Sequence, residues 1–201
     1  MDGEEATPSK ALQLVKRLAD YGIDGAGPMI PSREVAQEYL VDLSYDTYDE
    51  RIDALIRWEA TKNFTSGFLT GLGGIITLPV AVPAALGASW VIQARMCGAI
   101  AAIYGLDLKS DRVRTLVLLS LLGDAGMEVL REVGIQVGKK LSAAAINKIP
   151  GRVLIEINKR IGFRLLTKAG EKGVINLAKV VPLLGGVVGG AVDATACIGV
   201  G

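Results

Sequence analysis

Apolar residues recur at helical spacing three times in the first third of the chain. Leu12, Val15, Leu18 and Ala19 share one face of a helix that Thr7 and Pro8 open as N-cap and first helical residue, and Gly22 is expected to end it. The glycines and prolines between Gly25 and Pro31 read as a loop. Ser32 is placed to cap a second amphipathic helix carrying Val35, Ala36, Tyr39, Leu40 and Leu43. Thr47 and Glu50 have the spacing of a capping box, ahead of a third helix that carries Ile52, Leu55, Ile56 and Glu59.

The pattern changes at Asn63. No charged residue occurs from there to Ala94, a run longer than the ~20 residues that span a bilayer. Gly67, Gly71, Gly73, Gly74, Pro79 and Pro83 interrupt it, so a straight transmembrane helix fits poorly. A hairpin with a glycine-rich first arm, or a buried pair of core helices, fits better. A long helix is predicted from Pro79 to Tyr104 with Gly105 as its stop, and Ser110 caps another over Asp111 to Leu122. After Gly123 a longer helical pattern runs to Ile149, Pro150-Gly151 breaks it, and helix resumes to about Ala169. From Val174 to Gly201 the chain is apolar again, with Lys179 and Asp193 its only charges. Gly185, Gly186, Gly189 and Gly190 form overlapping small-xxx-small pairs there, which let another helix approach closely. The run reaches Gly201 without a polar terminator, so the native helix is expected to continue past it.

No segment alternates at strand spacing and no long period repeats. The fold predicted is all-α: a compact multi-helix bundle forming one domain over residues 1–201. Residues 1–62 supply acidic amphipathic helices, and 63–201 a core with two apolar Gly/Ala-rich segments that are either buried or membrane-associated.

Composition sharpens this. Half of the residues are apolar but only 5% are aromatic, and 25 are glycine, a mixture suited to close helix packing. The net charge of +1 predicts no partner, yet its distribution is uneven. Between Asp2 and Lys62 there are 13 acidic and 7 basic residues, whereas between Lys139 and Lys179 ten basic residues face only Glu156 and Glu171. Histidine is absent, which removes the usual general base and the commonest metal ligand. Cys97 and Cys197 sit in small apolar contexts and read as packing residues, and the acidic start is unlike a secretory signal, so a cytoplasmic protein is expected.

Conventional catalytic chemistry finds no purchase. The Gly67–Gly74 run lacks the Lys-Ser/Thr of a phosphate loop, and neither a nucleophile elbow nor paired metal-binding cysteines occur. Asp42, Asp46, Asp49 and Asp53 cluster where the macrodipole of a helix start favours acids. No catalytic residue, metal site or cofactor is expected. Two charged features remain. Arg95 stands alone in the uncharged run from Pro79 to Ile103; it either pairs with the comparably isolated Asp124 in a buried ion pair or snorkels to an edge. Arg152, Glu156, Arg160, Arg164, Lys168 and Lys172 recur every fourth position, winding slowly round a helix whose inner face is Leu154, Ile157, Ile161 and Leu165. Arg160, Arg164, Lys168 and Lys172 are candidates for contact with an anionic surface, though such a stripe is equally the solvated outside of a bundle. No aromatic platform accompanies it, so nucleic acid is not expected.

Gly71-Leu-Gly-Gly-Ile-Ile-Thr-Leu-Pro79, Gln93-Ala-Arg95 and Ile100-Ala-Ala-Ile-Tyr104-Gly105-Leu-Asp107 resemble the first signature of the EcsC protein family. The basic helix and Val181-Pro182-Leu-Leu-Gly185-Gly-Val-Val-Gly189-Gly190 resemble its second. The family takes its name from a bacterial protein encoded beside an ABC transporter, and the resemblance implies a helical, membrane-associated accessory protein with no catalytic residues to carry over. The leading expectation is therefore a non-enzymatic protein at the cytoplasmic face of a membrane, peripheral or partly inserted, touching anionic lipid or a membrane protein. The alternative is a soluble bundle, its apolar segments all core, that works through protein contacts or as a homo-oligomer.

Overall fold

The computed structural model describes residues 8–64, 84–135 and 143–177. Its elements, in chain order, are α1 (Pro8–Asp24), α2 (Ser32–Val41), α3 (Tyr48–Phe64), α4 (Ala84–Ile103), α5 (Asp111–Ser120), α6 (Asp124–Glu132), α7 (Ala143–Asn147) and α8 (Gly151–Leu177). Among the described residues there is no strand, only an isolated bridge between Ala26 and Met29 in the α1–α2 loop, and the all-α expectation is met.

The end of the first apolar region supplies the centre. α4 is flanked by α1, α2, α3 and α5, and α8 closes the far side against α1, α5 and α6. Every side of α4 meets protein: Trp90, Val91, Ile92, Ala94 and Met96 are all buried, and so are Ser89, Gln93 and Arg95. A helix with no polar face has only two stable environments, lipid or other helices. From Ser89 to Ala99 this one has helices. Burying each such large apolar side chain stabilises the fold by about 1.5–3 kcal/mol. Val15, Leu18 and Ala19 of α1, Val113, Val117 and Leu118 of α5, and Ile157 and Ile161 of α8 complete the main core. A smaller cluster joins Val35 and Ala36 of α2, Ile52 and Leu55 of α3, and Ala99 and Ile103 of α4. Arginines lock the periphery: Arg114 of α5 reaches Asp20 and, at 2.8 Å, Asp24 on α1, while Arg112 donates to the Ile149 carbonyl at 3.0 Å.

Several boundaries fall as expected. Thr47 Oγ1 accepts from Glu50 N–H at 3.2 Å and the Glu50 carboxylate accepts from Thr47 N–H at 3.2 Å, the reciprocal capping box that starts α3. Ser110 accepts from Arg112 N–H at 3.3 Å, Leu106 N–H donates back to the Ala101 carbonyl past the end of α4, and α8 begins at Gly151. Others differ for identifiable reasons. Gly22 does not stop α1; the stop is Gly25, whose φ of +72° is left-handed. Gly22 is instead the point of closest approach to α4, where a Cβ would lie 2.3 Å from the Val91 carbonyl oxygen. Ser32 does not cap α2, for its hydroxyl is turned inward to donate to the Arg95 carbonyl at 2.9 Å. α2 ends at Val41, which leaves Leu43, expected within this helix, beyond its end and 92% exposed. The long pattern after Gly123 is cut at Glu132, followed by Gly134 at φ +78°, whereas α8 continues beyond Ala169 to Leu177. The arm around Gly67–Gly74, the Pro79 start and the tail bearing Gly185, Gly186, Gly189, Gly190 and Cys197 lie outside the described residues. Among those described, no helix is long and apolar enough to cross a membrane.

Candidate functional site

Arg95 and Glu59 meet inside the bundle. Arg95 Nη2 donates to Glu59 Oε2 at 2.6 Å, with side chains only 3% and 0% exposed. The expected pairing of Arg95 with Asp124 is therefore corrected: Asp124 is exposed at the first turn of α6, where the helix macrodipole suits an acid. The cause lies in α3. Ile52, Leu55, Ile56 and Glu59 fall at i, i+3, i+4 and i+7, so the face that buries Leu55 must also bury Glu59. Such an acid needs a cation, and Arg95 on the facing helix supplies it. Around the pair the backbones come close. Ser32 Oγ also lies 3.5 Å from the Gly22 carbonyl, and a Cβ at Gly98 would sit 2.5 Å from that hydroxyl. The Ser32 side chain thus joins α1, α2 and α4 at one buried point.

Beside this pair, the surface of α2 and α3 forms an open groove of about 520 Å³. Glu38, Tyr39, Asp42, Tyr45, Ala54, Arg57, Trp58 and Thr61 line it. Its shape depends on Arg51. From α3 its guanidinium donates to the carbonyls of Tyr39, of Leu40 at 3.1 Å, of Asp42 at 2.7 Å and of Tyr45 at 2.6 Å. These include acceptors that a helix leaves unpaired at its C-terminus, so one arginine ends α2 and pins the turn after it. The turn then stacks Tyr45 on Tyr39, ring centroids 6.3 Å apart. Burial, and next the Glu59 charge, push the Tyr39 hydroxyl up to about 12. Asp42 moves the other way: hydrogen bonds from Ser44, then the nearby Arg51 charge, hold it below the usual carboxylate range. At the end of the unit Tyr48 meets Tyr104 edge to face at 6.2 Å, and Tyr104 donates to Asp49 at 3.0 Å. Among the described residues no group of acids and cysteines could hold a metal ion.

A model of the EcsC protein family matches residues 9–200, nearly the whole chain. The chain belongs to the EcsC protein family. Comparison with curated proteins and with solved structures returns no match. The match takes in α1 to α8, so the acidic N-terminal helices are part of the EcsC unit and not an appendage to it.

The basic helix of this EcsC chain presents Arg160 and Arg164 to protein. Arg164 reaches Glu128 at 2.7 Å and Glu132 at 2.6 Å, and Arg160 pairs with Glu132 and, at 3.0 Å, with Glu156 of its own helix. The two acids stand four residues apart on α6 and the two arginines four apart on α8, a matched spacing along antiparallel helices. That match was present in the sequence and is the signal by which the lattice could have been found. Lys168 and Lys172 lie farther along α8, their side chains outside the described residues. Arg51, Trp58 and the groove carried no motif that sequence alone could single out.

Proposed function

We propose that this EcsC-family protein is a non-enzymatic interaction protein whose working surface is the outer side of α2 and α3. One observation carries the reading. Of nine exposed large hydrophobic residues among those described, Val41, Leu43, Tyr48 and Trp58 lie within this unit and Tyr104 packs on its end. Concentrated exposed apolar surface marks a place where something docks. Among the described residues, two features that would otherwise serve lipid are drawn inward: α4 is core from Ser89 to Ala99, and Arg160 and Arg164 are matched by α6 carboxylates.

Photo-crosslinking in cells tests this, with the crosslinker in turn at Leu43 and at the exposed Lys148 before α8. Discrete products from position 43 that weaken on Trp58→Ala, none from position 148, and no flotation of the purified protein with anionic liposomes support the reading. The mass of the product separates a second copy of this chain from a different protein. Flotation that survives a high-salt wash, without crosslinks at position 43, overturns it in favour of action at a membrane.

A further inference from the structure

The groove has a chemistry more specific than an apolar patch. Its walls combine three aromatic rings, Tyr39, Tyr45 and Trp58, with two carboxylates, Glu38 and Asp42. Asp42 is held ionised by the Ser44 hydrogen bonds. The surroundings have the same sign: from Ser32 to Phe64 there are eight acidic and four basic residues. Of those four, Arg57 is the one that lines the groove, and Arg51 spends its guanidinium on backbone carbonyls. Aromatic faces attract cations through their quadrupoles, and neighbouring carboxylates add direct attraction and orientation. Val41 and Leu43, the sequence neighbours of the groove-lining Asp42, are apolar and exposed. A small free cation would leave them in water; an extended chain carrying a cation would cover them.

We infer that the α2–α3 groove takes a basic segment of a partner protein, with a lysine or arginine side chain over Trp58 and the Tyr39–Tyr45 pair and within reach of Glu38 and Asp42. The inference rests on the reading of this surface as the working one. It also makes Arg57 a brake on affinity, because its charge repels a cationic occupant and limits how tightly any basic segment binds.

Tryptophan fluorescence tests it directly. The chain has two tryptophans, and Trp58 lies in the groove at 54% exposure while Trp90 is buried at 2%. Deca-lysine titrated at low salt is expected to change the emission saturably, an effect lost in Trp58→Phe and weakened about tenfold in Glu38→Gln/Asp42→Asn. Arg57→Gln is expected to tighten it about threefold. An uncharged alanine-rich peptide serves as the control and spermine as the free cation. Spermine binding as tightly as deca-lysine overturns the inference in favour of a small-cation site. No response to deca-lysine overturns it as well. If crosslinking at Leu43 nevertheless persists, only the chemistry assigned to the partner has failed; if both are lost, the working surface is wrong too. Circular dichroism confirms that each surface variant is folded.

Discussion

The molecule makes the same contact twice, in two different places. Arg95 meets Glu59 at 2.6 Å and Arg164 meets Glu132 at 2.6 Å. The first pair is 3% and 0% exposed, the second 27% and 39%. Distance alone would rank them equal. Burial separates them, because a charge stripped of water depends wholly on its partner while a surface charge falls back on solvent and salt. The buried pair therefore fixes how α3 sits on α4. The surface lattice matches Arg160 and Arg164 of the stripe with carboxylates and adds little to stability. The proposed function follows the same division: the buried pair joins α3, which carries one wall of the groove, to α4, and the lattice matches Arg160 and Arg164 with carboxylates.

The largest expected effect comes from breaking the buried pair on one side. Glu59→Ala leaves Arg95 charged and buried, and should cost about 3–5 kcal/mol, read by urea denaturation. Replacing both partners with apolar residues of similar shape, Glu59→Leu with Arg95→Met, should recover most of that loss. A double variant no more stable than the single would mean that the pair does not act as a unit.

A smaller effect is expected at the backbone contact beside it. In Gly22→Ala the new methyl meets the Val91 carbonyl at 2.3 Å, so α1 and α4 must move apart. Overpacking of this kind costs about 1–3 kcal/mol. The measurement is again the denaturation midpoint. An unchanged midpoint would show that α1 shifts without disturbing the buried pair.

These two sites also show how far the sequence could be read. The helical spacing of Val15, Leu18 and Ala19, the Thr47–Glu50 capping box and the Pro150-Gly151 break are local physics, and they placed helices correctly. Gly22 and Ser32 were misread because each has a common local role, helix stop and N-cap, that a tertiary contact overrides. The partner of Arg95 was misassigned for a related reason. Isolation in sequence pointed to Asp124, whereas the useful signal was an acid on an apolar helical stripe, Glu59. Helical spacing continues through Leu43 and predicts it within α2, whereas the carbonyl clamp of Arg51 ends the helix before it. A groove made by the turn between two helices leaves no periodic trace at all.

Alkaline pH should act on the buried side. Tyr39, beside Glu59, has its hydroxyl pushed from 10.0 to about 12 in the fold. A group whose pKa is raised by folding stabilises the protein while protonated, so this contribution is complete below pH 10 and disappears as the pH rises towards 12. Half-exposure keeps it modest. Tyr39→Phe should remove the loss across that window, and tyrosinate absorbance should show one late-titrating tyrosine that the variant lacks. A loss of the same size in the variant would place the alkaline sensitivity elsewhere.

Acid should act on the other side, and least of all. Hydrogen bonding from Arg160, and the charges of Arg164 and Arg160, hold Glu132 below its ordinary 4.5. A depressed carboxylate contributes stability above its unfolded value and loses it as pH falls through the folded one, so the lattice weakens only below about pH 4.5. The exposed pairs are also screened by salt, which the buried pair is not. Arg160→Gln with Arg164→Gln should therefore leave the midpoint at neutral pH and high salt within experimental scatter, while Glu59→Ala keeps its full penalty there. The complementary change has a different consequence. Glu128→Gln with Glu132→Gln leaves both arginines without their α6 carboxylates and should create salt-sensitive flotation with anionic liposomes that the wild type lacks. If wild type and variant float equally, the α6 carboxylates do not quiet the stripe, and the contrast between the two sides of the molecule falls with them.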